Sequence, residues 1–338
     1  MKTFKIFIIV IGIVSITINS CNEKTIDLDP IGDTEASFFQ NEAQMTMGVM
    51  AVYQKLNFFY QWGNDRILHR IWLLPSDDLT NPGGDGHEIF SSLNGSNWQL
   101  SEFFNFQYQL IARANTVLQK IEENGDFAYE EGSSAKDWHK GESLFLRSWS
   151  YFMLWNTYGT APLVTERILS LDEAFPPSST GTELLDQAVI DLGNAIDLLP
   201  EAWDASEAGR ATKNSARGLL GKVLVFRGTV NKANEDFSAA ISAINSITGV
   251  SLTPNFNDNF DAEKENNVES LFEFQANITA TGNANPWVAG AGANDAFSVI
   301  GELNAFYGYF NNKGYGGIDR SYSATTSLKN AFEAGDPR

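Results

Sequence analysis

One cysteine (Cys21), three histidines and few basic residues set the first limits on this 338-residue chain. A lone cysteine allows no intrachain disulfide, so stability must come from a buried core. The 43% of hydrophobic residues can fill a large one, in one or two domains. His69, His87 and His139 lie in separate segments with no HExxH or Cys/His cluster, so no metal and no cofactor is expected. Lys and Arg number 23 against 42 Asp and Glu, a formal charge of −19. That balance offers no basic stripe for phosphates and no polybasic patch for anionic lipid, which excludes nucleic acid as a partner.

The N-terminus has a clear pattern. Lys2 and Lys5 precede an almost unbroken apolar run from Ile6 to Ile18, followed by Asn19, Ser20 and Cys21. A positive start, a short apolar stretch and small or polar residues at the cut are the parts of a secretory signal peptide, here residues 1–20. The run is shorter than the ~20 residues a membrane-spanning helix needs. Cys21 at the end of such a segment is similar to the lipid acceptor of a bacterial lipoprotein, whose acyl chains hold it to a membrane. Removing residues 1–20 takes away Lys2 and Lys5 and no acid, so −19 becomes −21.

Apolar spacing predicts helices through the first 245 residues. Asn41 caps one with Val49, Met50, Val52, Tyr53 and Leu56 on its apolar face; a longer one runs from about Asn97 to Glu123, with Gly125 as its stop. A third covers about Ala135 to Thr157, ended by Gly159 and Pro162, with Trp138, Phe145, Trp149, Phe152 and Trp155 as core. A fourth spans Gly181 to Leu199. The next two form a pair, capped by Thr212 and by Asn234. Small residues Ala216, Gly221 and Ala240 let that pair approach closely, which resembles a tetratricopeptide unit. The expected fold is mainly α, stacked helical hairpins with long irregular loops and little strand. Residues 59–97 and 250–320 do not fit helices, and Ser270 to Gln275 reads as a strand.

Catalytic motifs are weak. Asp77 and Asp78 with Glu102 could be imagined as paired carboxylates, but loop acids usually cap turns or face water. GGDG at Gly83 lacks the Lys-Ser/Thr of a phosphate loop. Asn255, Asn257, Asn259 and Asp261 alternate like a calcium loop with its glycine and glutamate misplaced, and are read as loop polars. No catalytic residue is assigned.

The run ESLFLRSWSYFMLWNTYGTAPLVTE, Glu142 to Glu166, resembles the signature of the SusD/RagB family of nutrient-binding outer-membrane lipoproteins, an arginine-containing aromatic helix followed by an aromatic-Gly-x-x-Pro-Leu turn. ASFFQNEAQMTMGVMAVYQKL, the SDD of Ser76 to Asp78, RATKNSARGLLGKVLVFRG from Arg210, NVESLFEFQ from Asn267 and the final AFEAGDPR match in the expected order. The resemblance implies a tetratricopeptide-like, α-rich SusD-like domain over residues 21–338, with ligand-binding loops. It implies an anchor at Cys21 in the outer membrane, facing the cell exterior, and an oligosaccharide or polysaccharide, or a peptide in some members, as ligand. It also implies a SusC-type TonB-dependent transporter as partner, and no enzymatic step. Family members continue beyond an Asp-Pro-Arg like the one ending at Arg338, so this domain is expected to be incomplete at its C-terminus.

Sugar binding points to particular residues. A pyranose packs its C–H face on an aromatic ring and gives its hydroxyls to Asn, Asp, Gln or Arg. Trp98 beside Asn94, Asn97 and Gln99, Trp287 in a Gly- and Asn-rich loop, and Tyr307, Tyr309 and Tyr315 between Asn and Gly are the candidate contacts, with Asp77 and Asp78. A rival expectation is a scaffold holding peptides in a helical groove; exposed aromatics in loops favour the glycan and aromatics along a concave groove favour the peptide.

Overall fold

The computed structural model describes residues 32, 34–56, 68–81, 86–275 and 323–336. Its frame is a succession of helices: α1 (Glu42–Tyr53), α2 (Trp98–Ala128), α3 (Ala135–Tyr158), α4 (Glu183–Leu198), α5 (Lys213–Asn231), α6 (Asn234–Asn245) and a short α7 (Thr326–Ala331). Each of α2 to α5 packs on the next in sequence, and α1 lies on α2 and α3. This is the mainly helical stack of hairpins that the apolar spacing predicts. Among the described residues, the strands are two-residue pieces, β1 (Leu79–Thr80) and β2 (Ser323–Ala324), paired antiparallel.

Helix starts follow cap chemistry. The Asn41 side chain accepts from the Gln44 amide and Asn97 from the Leu100 amide. Thr212 and Ser215 exchange side-chain and backbone bonds in a capping box. Three expectations need correction. First, α2 continues through Gly125 to Ala128: its long apolar face outlasts one weak residue, and Gly125 gives room to the Lys136 side chain of α3. Second, α6 is capped at Ala233, with Asn234 already inside, because Lys232 in the left-handed region turns the chain one residue early. Third, Ser270 to Gln275 forms no strand. Phe272 and Phe274 pack on the core while the Leu271 carbonyl accepts from Ser215 Oγ of α5, so helix packing replaces a ladder. Smaller still, α4 begins at Glu183, two residues after Gly181.

The pairing of α5 and α6 depends on two glycines. A Cβ on Gly221 would lie 2.6 Å from Ile244 Cδ1, and one on Gly228 would lie 2.9 Å from Asp236 Cβ and 3.2 Å from the Ala233 carbonyl oxygen. The Ile244 tip is half exposed and can swing aside; Asp236 Cβ and the backbone cannot. Gly228→Val is therefore expected to destabilise by about 1–3 kcal/mol in urea unfolding, whereas Gly221→Ala stays within about 0.5 kcal/mol of the parent because helix propensity offsets the contact. Equal effects at the two sites would refute this account of the packing.

Two buried ion pairs cross the core. Arg147 of α3 donates Nε and Nη2 to Asp191 of α4 at 2.7 and 2.8 Å, and Nη1 to Asn115 Oδ1 of α2 and the Thr165 carbonyl. Asn115 in turn donates to the Val164 and Glu166 carbonyls, and Tyr151 and Tyr108 donate to those of Val164 and Pro162. The aromatic-Gly-x-x-Pro-Leu turn is thus tied to α2 and α3, which gives the arginine of that run a physical role. In the second pair Arg210 grips Glu142 with two bonds at 2.7 and 2.6 Å, Tyr53 donates to the same carboxylate, and the guanidinium lies 3.9 Å from the Trp203 ring. Burial pushes the Glu142 carboxyl up, opposed by Arg210 and Tyr53. Trp138 meets Trp203 edge-on, and Trp149 and Trp155 pack against the main core, as their helical spacing predicts.

Candidate functional site

The stack leaves one end of α2 to a loop with tightly specified geometry. Residues 86–97 run from β1 into α2, and short bonds brace them: Ser92 amide to the Gly86 carbonyl, Phe90 amide to the His87 carbonyl, Asn97 amide to the Asn94 carbonyl. Asn97 does more than cap. Its Nδ2 meets His87 Nε2 and the Ser92 carbonyl, both at 2.9 Å, while Oδ1 accepts from Leu100. The buried His87 is thereby a structural partner of the loop. Glu88 links the loop to β1 by accepting from Thr80 Oγ1 at 2.6 Å and from the Asn81 amide at 2.9 Å.

On this frame Trp98, the first residue of α2, is 51% exposed. Asn94 is exposed beside it in sequence, whereas Gln99 is buried and faces inward, against the expectation that it reads hydroxyls. Asp77 and Asp78 precede β1 and are exposed. Their carboxylates make no hydrogen bond or ion pair among the described residues, while their carbonyls hold Thr325. Asn97 has both amide hydrogens committed within the protein, so its part here is to hold the loop that carries Trp98. Cys21, Trp287, Tyr307, Tyr309 and Tyr315 lie outside the described residues, as does GGDG apart from Gly86.

Phe90 was not singled out by the sequence. It is 63% exposed and sits at φ +60°, a backbone region that costs a bulky residue about 1–3 kcal/mol. The bracing just described holds it there, and no pattern of residue types announces that. Ile89, next to it, is 73% exposed.

The other motifs resolve as local structure. Asn255 donates to Asp258, Asn259 to Glu269, Asp261 caps Glu263, and Lys264 reaches Asp258 at 2.6 Å. A lysine at the central acid and side chains already engaged leave those residues poorly suited to a cation. Among the described residues no group of three His, Cys, Asp or Glu side chains could hold a metal ion, and no helix is long and apolar enough to cross a membrane. Glu102 is exposed on α2.

Comparison with known proteins relates this fold to a family. Residues 76–225, which run from the SDD stretch through the aromatic helix into α5, match the SusD-like family described as starch-binding and associating with the outer membrane. A SusD-like protein of Bacteroides ovatus is 23% identical over 276 residues, 79% of this chain and 49% of that protein. SusD-like protein P38 of Formosa agariphila is 25% identical over 312 residues, 84% of this chain and 56% of its own length. The chain spans about half the length of the curated relatives it matches. Among solved structures, a laminarin-binding SusD-like protein superposes with a TM-score of 0.59 at 25% identity, over 69% of this chain and 51% of the other. Helical stack and matched region agree: the chain is similar in sequence and in fold to the SusD-like family.

Proposed function

We propose that residues 1–20 are a signal peptide and that residues 21–338 form a SusD-like unit anchored through acylated Cys21 to the outer membrane, facing the cell exterior. There it captures an oligosaccharide and delivers it to a SusC-type TonB-dependent transporter, with no bond made or broken. The observation that carries this reading is Trp98, half exposed on a braced loop in a chain similar to this family. An exposed indole offers a stacking face to a pyranose, and the uncommitted carboxylates of Asp77 and Asp78 accept hydroxyl protons. Trp287, Tyr307, Tyr309 and Tyr315 are proposed as further stacking residues on their composition alone.

The distribution of exposed aromatics supports glycan over peptide. Phe90, Phe175, Phe256 and Phe260 are exposed in loops and short turns, and Trp98 at a helix start. Two acyl-type anchoring signals are needed for stable attachment, so Cys21 would carry more than one chain. A delivering protein must also release, which fits a few modest stacking contacts better than a deep polar cage.

The test is electrophoretic retardation of the purified protein in gels containing starch, laminarin or xyloglucan. The parent is expected to be slowed by one of them, and Trp98→Ala to weaken that binding about tenfold, ~1.4 kcal/mol. Equal retardation of the variant would remove Trp98 from the site. A folded parent that runs freely in every gel would favour the peptide-holding reading.

A further inference from the structure

Away from Trp98, a cleft of about 520 Å³ opens between α3, α5 and residues 259–273, a size that suits a small ligand. Its floor is aromatic: Phe145 and Phe272 meet edge-to-face at 5.0 Å, with Trp149 beside them. Its rim carries charges that do not meet. Lys222 on α5 is exposed, with its ammonium 5.5 Å from the Phe152 ring, and forms no ion pair among the described residues. Glu269 and Glu273 line the opposite side. Glu269 uses Oε2 for the Thr253 amide, the Thr253 hydroxyl and Asn259, and Glu273 uses Oε2 for the Asn266 amide. In each the Oε1 oxygen is left without a hydrogen bond among the described residues.

A donor on one wall and spare acceptors on the other need something between them that does both. An anion would face two carboxylates and a cation would face Lys222. A neutral ring with hydroxyls on its edge and C–H bonds on its face meets the whole cleft, rim and floor. The geometry points to a second sugar subsite here, taking one neutral pyranose unit, built from Trp149, Lys222, Glu269 and Glu273. It rests on the reading that the ligand is a glycan but shares no residue with the Trp98 loop. Two weak subsites on one molecule would hold a polysaccharide that reaches both more firmly than either alone.

The indole N–H resonances of Trp149 and Trp98, assigned through Trp149→Phe and Trp98→Ala, report each site separately during titration with maltoheptaose, laminarihexaose and xylohexaose. With at least one of these, the Trp149 signal is expected to shift and saturate at millimolar concentration, in the parent and in Trp98→Ala alike. Lys222→Met, an exposed substitution that keeps the stem, should weaken the Trp149 response about tenfold and leave the Trp98 response unchanged. Movement of Trp149 without Trp98 would sustain the cleft and sink the Trp98 site. Movement of Trp98 alone, or a Trp149 response indifferent to Lys222→Met, would overturn the cleft, and silence at both would overturn both.

Discussion

Replacing Arg147 by methionine is expected to destabilise the fold by about 3–5 kcal/mol, the largest single-residue effect anticipated outside the apolar core. The side chains of Arg147 and Asp191 are only 7% and 2% exposed. Without the guanidinium, Asp191 keeps one bond from Gln187, and Asn115 Oδ1 and the Thr165 carbonyl lose their donor. An uncompensated buried carboxylate is what makes such a deletion costly, and a matched apolar pair removes that penalty. Arg147→Met combined with Asp191→Leu should therefore recover most of the loss. Urea unfolding of both variants at neutral pH is the measurement; a single variant within about 1 kcal/mol of the parent would mean that the brace contributes little.

A second large effect concerns acid. His139 of α3 is buried, with Nδ1 3.0 Å from the Tyr129 hydroxyl and Nε2 3.3 Å from Thr46 Oγ1 of α1. Burial, helped by the positive charge of Arg210, pushes its pKa down to about 4. The unfolded chain titrates near 6.5, so between those values it binds a proton that the folded chain refuses. Stability is thus unaffected by this group above about pH 6.5 and declines as the pH falls, by about 3 kcal/mol on reaching pH 4. The Glu35 carboxyl, held low by its bonds from Arg167 and Lys120, adds a decline of the same sign, so His139→Gln, which cannot charge, serves as the reference. The parent should lose stability more steeply than the variant from neutral pH to pH 4. Parallel curves would show that the imidazole is not kept neutral.

Much of this architecture was legible because helices of this length repeat their apolar spacing many times. The long run to Ile121 and the aromatic helix from Ala135 are periodic enough that tertiary packing only confirms them. Boundaries failed where a local signal met a stronger distant one. Gly125 reads as a stop until Lys136 occupies the space it leaves, and NVESLFEFQ alternates like a strand until its phenylalanines find the helical core. At the candidate site, composition led to Trp98 and to Asp77 and Asp78, all exposed. Gln99 and Asn97 have the right chemistry for hydroxyls, but the helix start turns one inward and makes the other a cap. Phe90 escaped because a left-handed aromatic depends on bonds among Gly86, His87 and Ser92 that residue types do not declare.

The β1–β2 pairing joins Leu79 to Ala324 and Thr80 to Ser323, partners more than 240 positions apart, through a ladder only two residues long. Closing so long a loop carries a large entropic cost for a small enthalpic return, so this contact forms after the hairpins, whose partners are near neighbours. Its amides should exchange with solvent through local opening that leaves the helices protected. The carbonyls of Asp77 and Asp78 hold Thr325 at this same seam, so the acidic rim before β1 would gain and lose order with the seam, on a timescale separate from global unfolding.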